Sequence, residues 1–349
     1  MVESIGKDAW LRGEGQDADI VISTRVRLAR NVEGFALKAK LAGDEEVALV
    51  QHLKQRIGKV KLAEKQQFVD LKPLDDVERL LLVERHLISL DHANADSERG
   101  VIHDDQGSIA LMLNEEDHLR LQVLGSGMCA EEVFDRAFAI EDDLQGVVEF
   151  AYHSRYGYLT SCPTNVGTGM RLSVMMHLPG LAFTKQIDKV FNAVARMNLA
   201  VRGFYGEGTK ALSDLYQISN QVTLGKTPEE LLNDVRSVIP VILRWEREVR
   251  NQVLKADRVG LEDKVWRALG ALRSARTMSS SEAFEQLSHV RLGVHCELIP
   301  DLTIATLNEL FLLCQPGHLQ TVVCGGKAIE PRKRDIVRAE LLRSRLGGR

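Results

Sequence analysis

Hydrophobic positions recur along this chain with two different periods. In eight short stretches apolar and polar residues alternate or run as brief apolar blocks: DIVISTRV (19–26), QQFVDL (66–71), GVIHD (100–104), SIALMLN (108–114), HLRLQVLG (118–125), GYLTS (157–161), AVRGFYG (200–206) and LYQISNQ (215–221). Such patterns, bounded by turn residues, predict β-strands. Spacings of three and four predict helices over 44–57, 74–87, 130–145, 169–178 and 184–197. Strands and helices do not alternate one for one between residues 20 and 226. The expected class is therefore α+β, a mostly antiparallel sheet flanked by helices, rather than a doubly wound sheet.

The pattern changes at Thr227. TPEELLNDVRSVIPVILRWEREVRNQVLKA (227–256) opens with a Thr-Pro-Glu-Glu helix start and runs long. Beyond it the chain reads almost wholly as helix, including 261–275, 279–294 and 303–314. This places a boundary near residue 257, with one domain over 1–257 and an all-helical C-terminal domain over 258–349.

Composition adds boundaries rather than a function. The 349 residues suffice for two cores, and 44% hydrophobic with 27% charged content is ordinary for a globular protein. A net charge of −4 argues against a nucleic-acid partner. No stretch reaches the roughly 20 apolar residues of a membrane span, and MVESIGKDAWLRGEGQDADI lacks the apolar segment of a signal peptide. Five cysteines without CxxC pairing fit a reducing cytoplasm and show no metal-site pattern.

The candidate chemistry begins at LMLNEEDHLR (111–120), where three acids, Glu115, Glu116 and Asp117, interrupt two strand-like runs. A solvated turn would look the same as a carboxylate aimed into a cleft. Arg25 and Arg27, two apart in ISTRVRLARN, share one face of their strand, and arginine forks suit phosphate oxygens. In TSCPTNVGTGMRLSV (160–174), Cys162 precedes a Gly/Thr-rich loop expected to open a helix whose early turn holds Arg171. AVRGFYGEGTKA sets Arg202 and Glu207 among three glycines, and His86 closes a helical run. Each segment alone has an ordinary surface explanation. Together with Arg120 they supply five arginines, two carboxylates and a thiol, a set suited to clamping a polyphosphate.

In combination and order, ISTRVRLAR, Asn-Glu-Glu-Asp-His-x-Arg, Cys-Pro-Thr-Asn-x-Gly-Thr and Arg-Gly-x-x-Gly-Glu resemble the phosphagen (guanidino) kinases, the creatine and arginine kinase group. The resemblance spans about residues 20–226. Only about 20 residues precede the first motif, where those kinases carry a helical domain, and a helical C-terminal domain follows instead. That layout resembles the bacterial protein arginine kinases of the McsB type, and KRDIVRAE (333–340) resembles their phosphoarginine-binding Arg-Asp-x-x-Arg-Ala motif.

The resemblance implies a phosphagen-kinase catalytic fold and ATP-dependent phosphorylation of arginine side chains in proteins. It implies that Ser23, Arg25, Arg27, His86, Arg120, Arg171 and Arg202 bind ATP, with His86 against the adenine and Mg²⁺ held through phosphates and water. Glu116 and Glu207 would hold the acceptor guanidinium, Cys162 would touch it, and Glu115 and Asp117 would support the turn or act through Mg²⁺-bound water. Met175 stands where creatine and arginine kinases have a histidine. Arg334, Asp335, Arg338 and Ala339 would form a second, allosteric phosphoarginine site, although a solvated basic helix explains the same residues. The implied partners are proteins with exposed arginines, a zinc-finger activator, a Clp-type protease in protein quality control, and a second copy of the chain. The apolar stripe LNELFLLC is a candidate face for that dimer or part of the domain's own core. The rival expectations are a small-molecule guanidino kinase and a non-catalytic phosphoarginine sensor.

Overall fold

The structure, a computed structural model, describes residues 8–41, 43–203 and 213–348. Their elements run β1 (Val21–Arg30), α1 (Asp44–Ile57), β2 (Gln66–Asp70), α2 (Asp76–Glu84), α3 (Leu90–Asn94), β3 (Gly100–Asp104), β4 (Ile109–Leu113), β5 (Leu119–Ser126) and α4 (Ala130–Gln145). They continue with β6 (Tyr152–His153), β7 (Gly157–Tyr158), β8 (Met170–His177), α5 (Pro179–Phe183), α6 (Ile187–Arg196), β9 (Leu199–Gly203) and β10 (Leu215–Asn220). Helices α7 (Pro228–Ala256), α8 (Arg258–Ser274), α9 (Ser280–His295), α10 (Ile304–Leu313), α11 (Pro316–Cys324) and α12 (Pro331–Leu346) complete the chain.

Eight strands form one sheet in the order β2-β3-β4-β5-β1-β8-β10-β9, and every pairing is antiparallel. This is the expected α+β architecture. The alternation along each strand assigns its two faces. Val26, Leu28, Leu121, Val123, Leu172, Val174 and Ile218 point to one face, where they are buried in a core shared with α1, α4 and α7. The opposite face carries Arg25, Arg27, Arg120 and Arg171. Farther along it, Ile22, Leu124, Met175 and Leu215 pack into a second core with residues of α8, α9, α10 and α12. The helical C-terminal region thus closes over part of the arginine-bearing face.

Two expectations are corrected, and an open one is decided. The helix expected over 169–178 is the central strand β8, paired with β1 on one side and β10 on the other. Met170, Leu172, Val174 and Met176 are fully buried at every second position, a period of two that helix-favouring Met and Leu conceal. Gly169 (φ +58°) fixes the entry to β8, since a Cβ there would stand 2.6 Å from the Ala29 carbonyl oxygen. GYLTS shrinks to the two-residue β7, hairpinned with β6 outside the main sheet. The stripe LNELFLLC offers no open face, because Leu307, Leu310, Phe311, Leu312 and Cys314 are buried in the C-terminal core.

The long helix starts as expected. The Thr227 side chain accepts from Glu230 N at 3.2 Å, and Glu230 Oε2 accepts from Thr227 N at 2.8 Å. Among the described residues no helix is long and apolar enough to cross a membrane.

Candidate active site

The polar face of the sheet is the floor of a cavity of about 1050 Å³. The register explains why arginines converge there. Arg27 on β1 stands opposite Arg171 on β8, Ala29 opposite Arg120 on β5, and Gln217 on β10 opposite Arg202 on β9. Ser23, Arg25, Arg27, Arg120, Arg171 and Arg202 all line the cavity, as do His86, Glu115, Glu116 and Cys162 from surrounding loops. Glu207 lies outside the described residues.

So many cations in one place disfavour one another. Burial first, then Arg120 and Arg171, pull the Arg25 guanidinium down to about 10. Arg27 is held well below the ordinary arginine value by burial and by Arg25, Arg120 and Arg171. Arg25 Nη2 donates to Gln217 Oε1 at 3.2 Å, while Arg27 Nε is buried with no acceptor among the described residues. A polyanion would satisfy these groups, and it is the ligand that the donor set fits.

The three adjacent acids at the bend between β4 and β5 separate into three roles. Glu115 is almost fully buried and faces Arg120 at 2.6 Å, with Ser89 Oγ donating to it at 2.7 Å and the Glu116 amide at 2.9 Å. Burial alone would raise its pKa, but Arg120 and these donors hold it below the usual glutamate value. Asp117 turns away, accepting from Asn31 Nδ2 at 2.8 Å and Ser161 N at 2.6 Å, so it braces the bend against the segment leading to Cys162. Glu116 alone stays half-exposed on the cavity side, 3.3 Å from Arg120 Nη2. Burial outweighs Arg120, and Asp117 and Glu115 add to it, so its pKa is raised.

Cys162 sits at the start of a single 3₁₀ turn, its Sγ 3.0 Å from Thr164 Oγ1. The loop therefore leads into a strand and not into the helix N-terminus expected from the sequence. His86 ends α2 at φ +59°, its ring edge-on to Trp10 with centroids 4.9 Å apart. Burial, with Arg25 and Arg27 nearby, lowers its pKa to about 3, so the ring is neutral. Among the described residues no group of three or more His, Cys, Asp or Glu is arranged to hold a metal ion.

Sequence reasoning missed several lining residues. Gln217 was accessible from the alternation of LYQISNQ, which puts it on the polar face with Tyr216 and Ile218 on the other. Gln315 and Pro316 line the cavity from the helical region, and nothing local marks them. The residues of the C-terminal motif differ in exposure. Arg338 is turned inward, almost fully buried, donating from Nε to Cys314 O at 2.7 Å and from Nη1 to Met278 O at 2.9 Å and Asp335 Oδ1 at 2.6 Å. Arg334 and Asp335 are half-exposed, and Ala339 is buried beside Val337 and Leu342. The spacing of four did place both arginines near one stripe of the helix. That stripe includes the helix's packing face, so Arg338 is held by interior carbonyls, not displayed with Arg334.

Comparison with known proteins agrees with this geometry. Residues 48–249 match the family model of the ATP:guanido phosphotransferase C-terminal catalytic domain. Residues 258–348 match that of the protein-arginine kinase McsB C-terminal domain. A protein-arginine kinase of Halothermothrix orenii is 44% identical over 97% of this chain and 96% of its own length, and one of Halalkalibacterium halodurans is 42% identical over 97% and 94%. Among solved structures, a lombricine kinase superimposes with a TM-score of 0.59 at 24% identity, covering 70% of this chain and 69% of its own. The substrate-free duplicated taurocyamine kinase of Schistosoma mansoni gives 0.60 at 23% identity, over 78% of this chain and 41% of its own. These likenesses confirm a phosphagen-kinase fold. With an arginine-floored cavity and near full-length matches on both sides of residue 257, the chain belongs to the protein-arginine kinase family.

Proposed function

We propose that the chain transfers the γ-phosphoryl group of ATP to the guanidinium of arginine side chains in proteins. The observation that carries this reading is the convergence of Arg25, Arg27, Arg120, Arg171 and Arg202 on one cavity with Glu116 and Cys162 at its rim. Phosphoryl transfer asks for charge neutralisation and in-line placement more than for covalent chemistry, which is what such a floor offers. His86, neutral and flanked by Trp10, suits an adenine face, and Ser23 lines the same cavity. Mg²⁺ carried by the nucleotide would supply further charge neutralisation at the phosphates; arginines outnumber carboxylates along the cavity, so ATP and water would hold the metal.

A guanidinium is a poor nucleophile while protonated, with a pKa above about 12. Glu116, half-exposed and raised in pKa, accepts the proton as the N–P bond forms, and Cys162 contacts the acceptor nitrogen. Glu207 is assigned the orienting role on resemblance alone. Two structural units serve this chemistry, residues 1–257 for transfer and 258–349 for regulation. Arg334, Asp335, Arg338 and Ala339 are assigned to phosphoarginine binding there, which requires the Asp335–Arg338 pair to open.

Resemblance also supports a zinc-finger activator and delivery of marked proteins to a Clp-type protease. Exposed Val322, Val323 and Ile336 on α11 and α12 support a homodimer. Five free thiols accord with the cytoplasm. The test is incubation with γ-labelled ATP and either casein or free arginine. Acid-labile label on casein is the expected result. Label on free arginine alone would make this a small-molecule guanidino kinase, the activity class of the structural relatives, and label on neither would leave a sensor.

A further inference from the structure

We infer that Glu84 is a positioning residue for the nucleotide, fixing the start of α11 so that Gln315 and Pro316 form a wall of the cavity beside His86. The inference rests on the reading that this cavity binds ATP. Glu84 closes α2, two residues before His86, and its carboxylate is 4% exposed. Among the described residues it accepts three hydrogen bonds, all from the helical domain: Gly317 N at 2.7 Å, His318 N at 2.8 Å and His318 Nδ1 at 2.7 Å. Amides at a helix start need an acceptor, and a solvated Ser or Thr would provide one without burying a charge. A buried carboxylate from another domain instead sets where the helix begins.

The surroundings leave this joint little play. A Cβ on Gly317 would lie 2.9 Å from Glu84 Oε2 and 2.9 Å from the Leu81 nitrogen, so α11 approaches α2 as only glycine permits. On the other flank Arg338 Nε donates to Cys314 O at 2.7 Å, immediately before Gln315. The turn 314–317 is thus gripped from both sides. Glu84, His86, Gln315 and Pro316 all face the same cavity. Through these contacts the helical domain shapes the nucleotide site without supplying a residue to the transfer itself.

The experiment is steady-state kinetics on the full chain with ATP and casein varied separately, comparing wild type with Gln315→Ala, Gly317→Ala and Glu84→Gln. Gln315→Ala removes only a half-wall and leaves the buried carboxylate paired, so it guards against a variant that fails to fold. The expected result is a rise of about tenfold in KM for ATP, equivalent to about 1.4 kcal/mol, in Gly317→Ala and Glu84→Gln. A smaller rise is expected in Gln315→Ala, with kcat within about twofold and KM for casein unchanged in all three. A purely structural role would lower the melting temperature and leave KM for ATP alone, and that outcome overturns the proposal. A wild-type chain that transfers no label overturns the functional reading instead, so the two failures are told apart.

Discussion

Arg120 reaches back across the β4–β5 bend and sets one guanidinium nitrogen 2.6 Å from Glu115 and the other 3.3 Å from Glu116. One fork therefore tunes two adjacent acids in opposite circumstances. Glu115 is fixed as a buried carboxylate, while Glu116 is left half-exposed with a raised pKa. Replacing Glu116 by Gln should lower kcat by about 10²–10⁴-fold at saturating substrates, the usual contribution of a general base. Because the base must be ionised, the acid limb of the pH–rate profile should lie above the ordinary glutamate range. Arg120 pulls Glu116 down more than Arg171 does, so Arg120→Ala should move that limb higher still. Unchanged turnover in Glu116→Gln would assign the proton to another acceptor.

The arginine floor is built for a ligand and strained without one. Arg27 is buried among cations with an unsatisfied Nε, so Arg27→Met should raise the melting temperature in the absence of nucleotide, by about 2–4 °C for each kcal/mol relieved. Added ATP should stabilise the wild type and leave the variant almost unmoved. Differential scanning fluorimetry with and without ATP reads both effects, and a variant less stable than wild type would show that Arg27 holds the sheet together.

A different arginine is structural. Arg30, at the end of β1, pairs with Glu141 on α4 at 2.6 Å, donates to Ala29 O and Thr168 O, and lies 3.6 Å above the Tyr158 ring. Glu141→Ala would leave a buried cation without its counter-ion, at a cost of about 3–5 kcal/mol. Urea unfolding should report the loss. A decrease below about 1 kcal/mol would mean that the two carbonyls and the ring suffice.

Acid should weaken the fold above pH 4. Burial is the leading cause that lowers His86 to about 3, His92 to about 4 and His289 to about 4. Unfolded, these rings protonate near pH 6.5, so between about 6.5 and 4 the unfolded chain holds more protons. Stability present at neutral pH is therefore lost as pH falls through that window, each ring contributing up to about 1.4 kcal/mol per pH unit. Asp214 acts in the opposite sense, since burial raises it to about 6 and the folded state then holds the extra proton. Among the described residues seven lowered histidines, with His103, His118, His177 and His295 added to the three above, stand against three raised acids, Asp8, Glu116 and Asp214, which gives a lower urea midpoint at pH 5 than at pH 7. An equal or higher midpoint would contradict the balance.

Much of this fold was legible because each strand with one polar face shows its period directly. Arg25 and Arg27 could be placed on one face from spacing alone, and their register with Arg171 and Arg120 then followed from the sheet. β8 was misread because Met and Leu fit helical spacing as well as alternation, and its pairing partners in β1 lie about 145 residues away. Glu115, Glu116 and Asp117 look equivalent in sequence; only the bend decides that one faces an arginine, one the cavity and one Asn31. The burial of Arg338 was hidden for a related reason. Spacing fixes which residues share a helix stripe, but the neighbour decides whether that stripe is outside or inside.

The first strand of the great sheet to be synthesised is the one that ends at its middle. β1 leaves the ribosome early, yet β5 must be translated before one edge is covered and β8 before the other. Through that interval Val21–Arg30 is a ribbon with one apolar face and unpaired amides and carbonyls, able to recruit a strand from any neighbouring nascent chain. Losses to aggregation should therefore concentrate in chains stalled before Met170.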